Sequence, residues 1–135
     1  MEMNLQAGTI EKPFLKTAIA FRGDIHPFQP FPKASAREAY EPLPAALKIR
    51  LVKIGESRLN YAFPVIRATD YMRFKRDGDR AAFEALYFSK RNALNDLIQA
   101  ECVEHKGRFL DDIINGIYSI CEESAWQFPA HNSYI

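Results

Sequence analysis

From Glu122 to Asn132, eleven residues gather most of the side chains able to do chemistry: two adjacent carboxylates, a tryptophan, a proline, a histidine and an asparagine. Neighbouring positions on a helix point about 100° apart, so Glu122 and Glu123 do not by themselves make a general acid/base pair. Trp126 offers a flat apolar face of the kind a sugar ring can lie against. Pro129 turns the chain away from a helix. His131 and Asn132 supply donors and acceptors that can hold a carboxylate or a hydroxyl. A lone histidine beside a proline turn is more often a structural hydrogen-bonder than a catalyst. Upstream, Asp112, Asn115, Gly116, Ser119, Glu122, Glu123 and Trp126 recur at three- and four-residue steps. The ordinary reading of that polar stripe is a solvent-facing side. Asparagine, glycine and serine are nevertheless poor helix formers, and they suit a close helix neighbour or a cleft wall better.

Other chemistries lack their residues. Glu101, Glu104 and His105 lie together, but there is neither an HExxH pattern nor a second histidine beside them, so no metal site is expected. Cys102 and Cys121 form no CxxC pair and fall on apolar helix faces. They read as small core residues rather than zinc ligands, nucleophiles or a disulfide. Neither GxxxxGK[ST] nor GxGxxG occurs, and no cofactor is expected. The 135 residues are 47% hydrophobic and 26% charged, with a net charge of +1. That balance excludes a disordered chain and argues against a nucleic-acid binder. No run approaches the roughly 20 apolar residues of a membrane helix. The start carries no secretory pattern, which gives a cytoplasmic expectation. Residues 1–91 hold sixteen basic and ten acidic side chains, and residues 92–135 hold two basic and seven acidic ones. Two solvated faces that neutralise each other explain this division. A basic surface drawing an anionic ligand is the sharper alternative.

The elements that must position these residues are helical. Residues 1–26 show no sustained period and read as a flexible arm. Three prolines alternate with two phenylalanines over residues 26–32, an extended run. Ser35 and Glu38 fit a capping box opening a short helix. Residues 45–59 read as a second helix, with Leu47, Leu51, Ile54 and the stem of Arg58 as its buried stripe. A short helix starts near Thr69 and ends at Asp77-Gly78-Asp79. The strongest signal follows. Asp79 is a good N-cap, and Phe83, Leu86, Tyr87, Leu94, Leu97, Ile98 and Cys102 share one side. Gly107 is the expected C-cap. A last helix over residues 109–123 carries Phe109, Leu110, Ile113, Ile114, Ile117, Ile120 and Cys121 on a wide apolar arc. The tight joint between the two makes them an antiparallel hairpin.

Several stretches resemble the N-terminal part of heparinase II/III-like proteins. They are Tyr87-Phe-Ser-Lys-Arg-Asn-Ala-Leu94, Ala100-Glu-Cys-Val-Glu-His-Lys-Gly-Arg-Phe-Leu-Asp-Asp-Ile-Ile-Asn-Gly-Ile117 and Ile120-Cys-Glu-Glu-Ser-Ala-Trp-Gln-Phe-Pro-Ala-His-Asn132, preceded by Phe28 to Pro32 and Leu59-Asn-Tyr-Ala-Phe-Pro64. The resemblance implies an all-α architecture: antiparallel helical hairpins forming an incomplete α/α toroid over residues 27–135. It further implies that longer relatives add antiparallel β-sheet domains and act as polysaccharide lyases. Those cleave uronic-acid-containing chains by β-elimination: one group neutralises the carboxylate, a Tyr or His removes the C5 proton, and an acid assists the leaving oxygen. The family's catalytic residues match no position here, and His131 is not one of them. Glu122, Trp126, His131 and Asn132 are the expected substrate-binding positions beside the cleft. Ala125 stands where the family commonly has a phenylalanine. The expectation is therefore the N-terminal fragment of a lyase, inactive alone, with an anionic polysaccharide or oligosaccharide as partner in the full-length context. No nucleic acid and no membrane partner are expected, and an exposed helical face would favour a homo-oligomer. The alternative is a non-catalytic helical module binding carbohydrate or protein. A small enzyme using His131 with Glu122 or Glu123 ranks last.

Overall fold

A computed structural model describes residues 31–131. The expected N-terminal arm and Asn132 lie outside the described residues. Five α-helices run in chain order: α1 Arg37–Tyr40, α2 Ala45–Glu56, α3 Ala68–Asp77, α4 Ala81–Glu104 and α5 Leu110–Cys121, followed by a 3-10 turn at Pro129–His131. No strand occurs among the described residues, so the all-α expectation holds. None of the described helices is long and apolar enough to cross a membrane.

The long helix α4 is the hub. Helix α2 makes the most extensive contact with it, then α5, then α3. Leu97, Ala100 and Phe109 are fully buried, with Leu59, Phe63 and Ile113 packed around them. The contact between α2 and α4 is close because both present small residues there. A Cβ built on Gly55 would lie 2.2 Å from the Ala100 Cβ. The burial of α2 therefore centres on Gly55, while Leu47, expected in the core stripe, is exposed. Leu51, Ile54 and Arg58 are half-buried, and Arg58 reaches Asp96 on α4 at 2.9 Å.

The helix ends follow local chemistry, with two corrections. Gly78 adopts the left-handed conformation that ends α3, as its sequence demands. Asp79 accepts the Ala82 N–H at 3.0 Å and caps α4. The capping box at Ser35 does not form: Ala36 precedes α1 and no side chain caps it. Arg37 ties α1 down instead. Its guanidinium donates to the Cys102 carbonyl at 2.7 Å and to the Val103 carbonyl at 2.9 Å, groups that the end of α4 would otherwise leave unpaired. At the other correction, His105 rather than Gly107 is the left-handed C-cap of α4, with Gly107 a second left-handed residue two positions on. One buried carboxylate organises this reversal. Glu101 accepts the Gly107 N–H at 2.8 Å and the Phe109 N–H at 3.4 Å. Glu101→Ala is expected to cost about 1–2 kcal/mol, because it strands the buried Phe109 N–H. Urea denaturation at neutral pH measures it.

The hairpin of α4 and α5 forms as expected, but α5 is rotated from its predicted setting. Gly116 is the residue it buries: a Cβ there would meet the Phe63 ring at 2.7 Å and a Leu94 methyl at 3.1 Å. Phe109 is fully buried and Ile113 and Ile120 partly so, whereas Leu110, Ile114, Ile117 and Tyr118 face outward. The small residues of the polar stripe thus take the close contact, and most of the apolar arc does not. On α4, Phe83 and Leu97 are buried and Ile98 is exposed. Both cysteines are free, Cys121 exposed and Cys102 half-buried.

Candidate functional site

Residues 122–131 leave the end of α5 and run over α4. The anchor of this segment is Glu123, whose side chain is only 4% exposed. Lys90, itself 2% exposed, places its Nζ 2.9 Å from Glu123 Oε1. Arg91 donates to both Glu123 oxygens, at 2.7 Å and 3.3 Å. Lys90 Nζ also donates to the Ser119 carbonyl at 2.9 Å, closing a link from α4 to the last turn of α5. Arg91 lies flat over the Tyr87 ring, 3.2 Å from its centroid, a cation–π contact. Charge-assisted bonds of this kind are strong where water is excluded.

An aromatic cluster anchors the other end. The Phe128 ring lies 4.8 Å from Tyr87, 5.5 Å from Phe88 and 6.4 Å from Phe83. Tyr71 of α3 meets Phe83 edge-on at 5.5 Å. Pro129 is buried. His131 sits edge-on to Phe128 at 5.6 Å, with its own surface exposed. Between the two anchors Trp126 stands 61% exposed. Glu122, at the C-cap of α5, is exposed as well. Three of the expected contact residues, Glu122, Trp126 and His131, therefore share one solvent-facing segment pinned from beneath. Beside it lies a cavity of about 220 Å³, walled by Tyr71, Phe83 and residues 123–125 with the start of α3.

Electrostatics decide what Glu123 can do. Burial works to raise its pKa, but hydrogen bonds and charge from Arg91 and Lys90 outweigh it and hold the carboxylate below its ordinary value of 4.5. An ionised group already bonded to two cations is no general acid, and its lone pairs are occupied. It is a clamp. A carboxylate depressed on folding stabilises the fold above its unfolded pKa, and that stability is lost as pH falls through the folded pKa. Asp70, hydrogen-bonded by Arg67, and Glu104, hydrogen-bonded by Arg108, shift in the same direction. Thermal unfolding should therefore be flat near neutrality and its midpoint should drop steeply below about pH 4.5. Retained midpoint at pH 3 would contradict the clamp. Among the described residues no group of His, Cys, Asp and Glu side chains is placed to hold a metal ion.

No protein-family model matches the chain, and no curated protein matches it. The residues that build the site were only partly visible in its sequence. Lys90, Arg91 and the aromatic anchors were absent from the expected site. A signal for Lys90 exists, since it stands seven residues from both Phe83 and Leu97, in the middle of the buried face of α4. A lysine there needs a buried carboxylate, and Glu123 is the partner.

Proposed function

We propose that this chain is the N-terminal segment of a heparinase II/III-like polysaccharide lyase, contributing sugar contacts rather than the reacting groups. The observation that carries the reading is Trp126: a large indole held in solvent on a segment fixed at Glu123 and Phe128. Exposing such a ring loses the gain of burying it, and a rigid apolar plate suits the face of a pyranose ring. Glu122 and His131 lie on the same segment and offer hydroxyl and carboxylate contacts. The antiparallel α4–α5 hairpin, with apolar side chains outward on α5, fits a toroid in which successive hairpins cover one another. Nothing in the segment pairs a free base with an acid, which fits a chain that needs further residues for β-elimination. Incubated with alginate or heparan sulfate, the chain alone should release no unsaturated product. An antibody against residues 109–132 should detect a native protein several times heavier than 15.5 kDa. Turnover by the chain alone, lost in His131→Ala, would overturn this reading.

A second reading rests on a specific observation as well. Leu110, Ile114, Ile117 and Tyr118 form a continuous outward stripe on α5. That stripe supports a non-catalytic interaction module, and a native product of 15.5 kDa would favour it.

A further inference from the structure

The cavity beside α3 has a chemistry of its own, separate from the exposed Trp126. Its walls are chiefly apolar: Ile66, Tyr71, Met72 and Phe83. Arg67 and Glu123 also line it. A volume of about 220 Å³ exceeds the roughly 150 Å³ that admits a benzene ring, so one ring and a small substituent fit. Both of these charged groups have partners. Glu123 is shared by Lys90 and Arg91, and Arg67 is paired with Asp70.

Of the two, Arg67 is the one with a donor to spare. Its Nε and Nη2 donate to the two Asp70 oxygens at 3.1 Å and 3.0 Å, which fixes the plane of the guanidinium. Its side chain is still 74% exposed, and among the described residues Nη1 has no hydrogen-bond partner. A guanidinium oriented from one edge and open at the other is set up to take a carboxylate. The aromatic and thioether walls then suit an apolar ring behind that carboxylate. An inorganic anion would leave those walls wet.

We propose that this cavity binds a small carboxylate bearing an apolar ring, with the ring against Ile66, Tyr71 and Met72 and the carboxylate on Arg67. The assignment does not depend on the lyase reading. Calorimetric titration of the full chain with benzoate tests it, alongside benzyl alcohol as the uncharged counterpart and acetate as the ringless one. Benzoate should bind saturably, and both comparison ligands at least about tenfold more weakly. Arg67→Gln, at an exposed side chain, should weaken benzoate at least about tenfold. Ala68→Phe, which places a ring in the cavity from an exposed position on its rim, should abolish binding. Trp126→Ala should leave it unchanged. Absence of saturable benzoate binding would overturn the proposal. So would equal binding of benzyl alcohol or acetate, or wild-type affinity in either cavity variant. If Arg67→Gln fails to fold, the ligand series and Ala68→Phe decide.

Discussion

Glu123→Ala should destabilise the chain by about 3–5 kcal/mol, the usual penalty for removing one member of a buried ion pair. The loss goes beyond two hydrogen bonds. Lys90 is 2% exposed and would keep its charge with only the Ser119 carbonyl as partner. Arg91 would retain the Tyr87 carbonyl and ring, so Lys90 carries most of the penalty. Replacing charge by apolar bulk on both sides, Lys90→Met with Glu123→Leu, should recover most of the loss, since a well-packed hydrophobic substitute is often neutral. Urea denaturation of the wild type, the single variant and the double variant measures both steps. A single-variant cost below about 1 kcal/mol would mean that water reaches the cluster and that Glu123 behaves as a surface pair. Trp126 emission gives a second readout, because Glu123 anchors the segment that carries it: its anisotropy should fall in Glu123→Ala even below the unfolding temperature.

Gly55→Ala should cost about 2–3 kcal/mol, although alanine is the better helix former by about 1 kcal/mol. The added methyl would sit 2.2 Å from the Ala100 Cβ and 3.3 Å from the Asp96 carbonyl. A Cβ is fixed to its own backbone, so relief requires α2 and α4 to separate. Gly116→Ala is the internal comparison. It meets ring atoms of Phe63 and a methyl of Leu94, side-chain ends able to shift, and its cost should stay below about 1 kcal/mol. Thermal melts of the pair rank the two contacts. A Gly55→Ala variant as stable as wild type would refute the close approach of α2 to α4.

The number and order of the helices were legible because long apolar spacing, the Asp79 cap and the Gly78 stop are local signals. The setting of α5 was not. Its isoleucines outweigh Gly116 and Ser119 in any apolar count, yet a glycine lets Phe63 and Leu94 approach where an isoleucine cannot. The capping box at Ser35 failed for a related reason. Arg37 makes three bonds to carbonyls, two of them at the end of α4, and a tertiary anchor of that size overrides one local cap. At the site, Trp126 and His131 stand out by side-chain type alone. Glu123 and Glu122 could not be told apart that way, because burial separates them and burial depends on where α4 places Lys90 and Arg91.

Trp126 is the chain's single tryptophan, so its emission reports directly on the proposed sugar contact. Titrating the chain with an unbranched uronate oligosaccharide, against a neutral oligosaccharide of equal length, tests the central claim. A saturable change in emission is expected with the uronate chain, weakened in His131→Ala and Glu122→Ala while the melting temperature holds. Emission unchanged at saturating oligosaccharide would contradict it, and would leave Trp126 an exposed side chain with no sugar to meet.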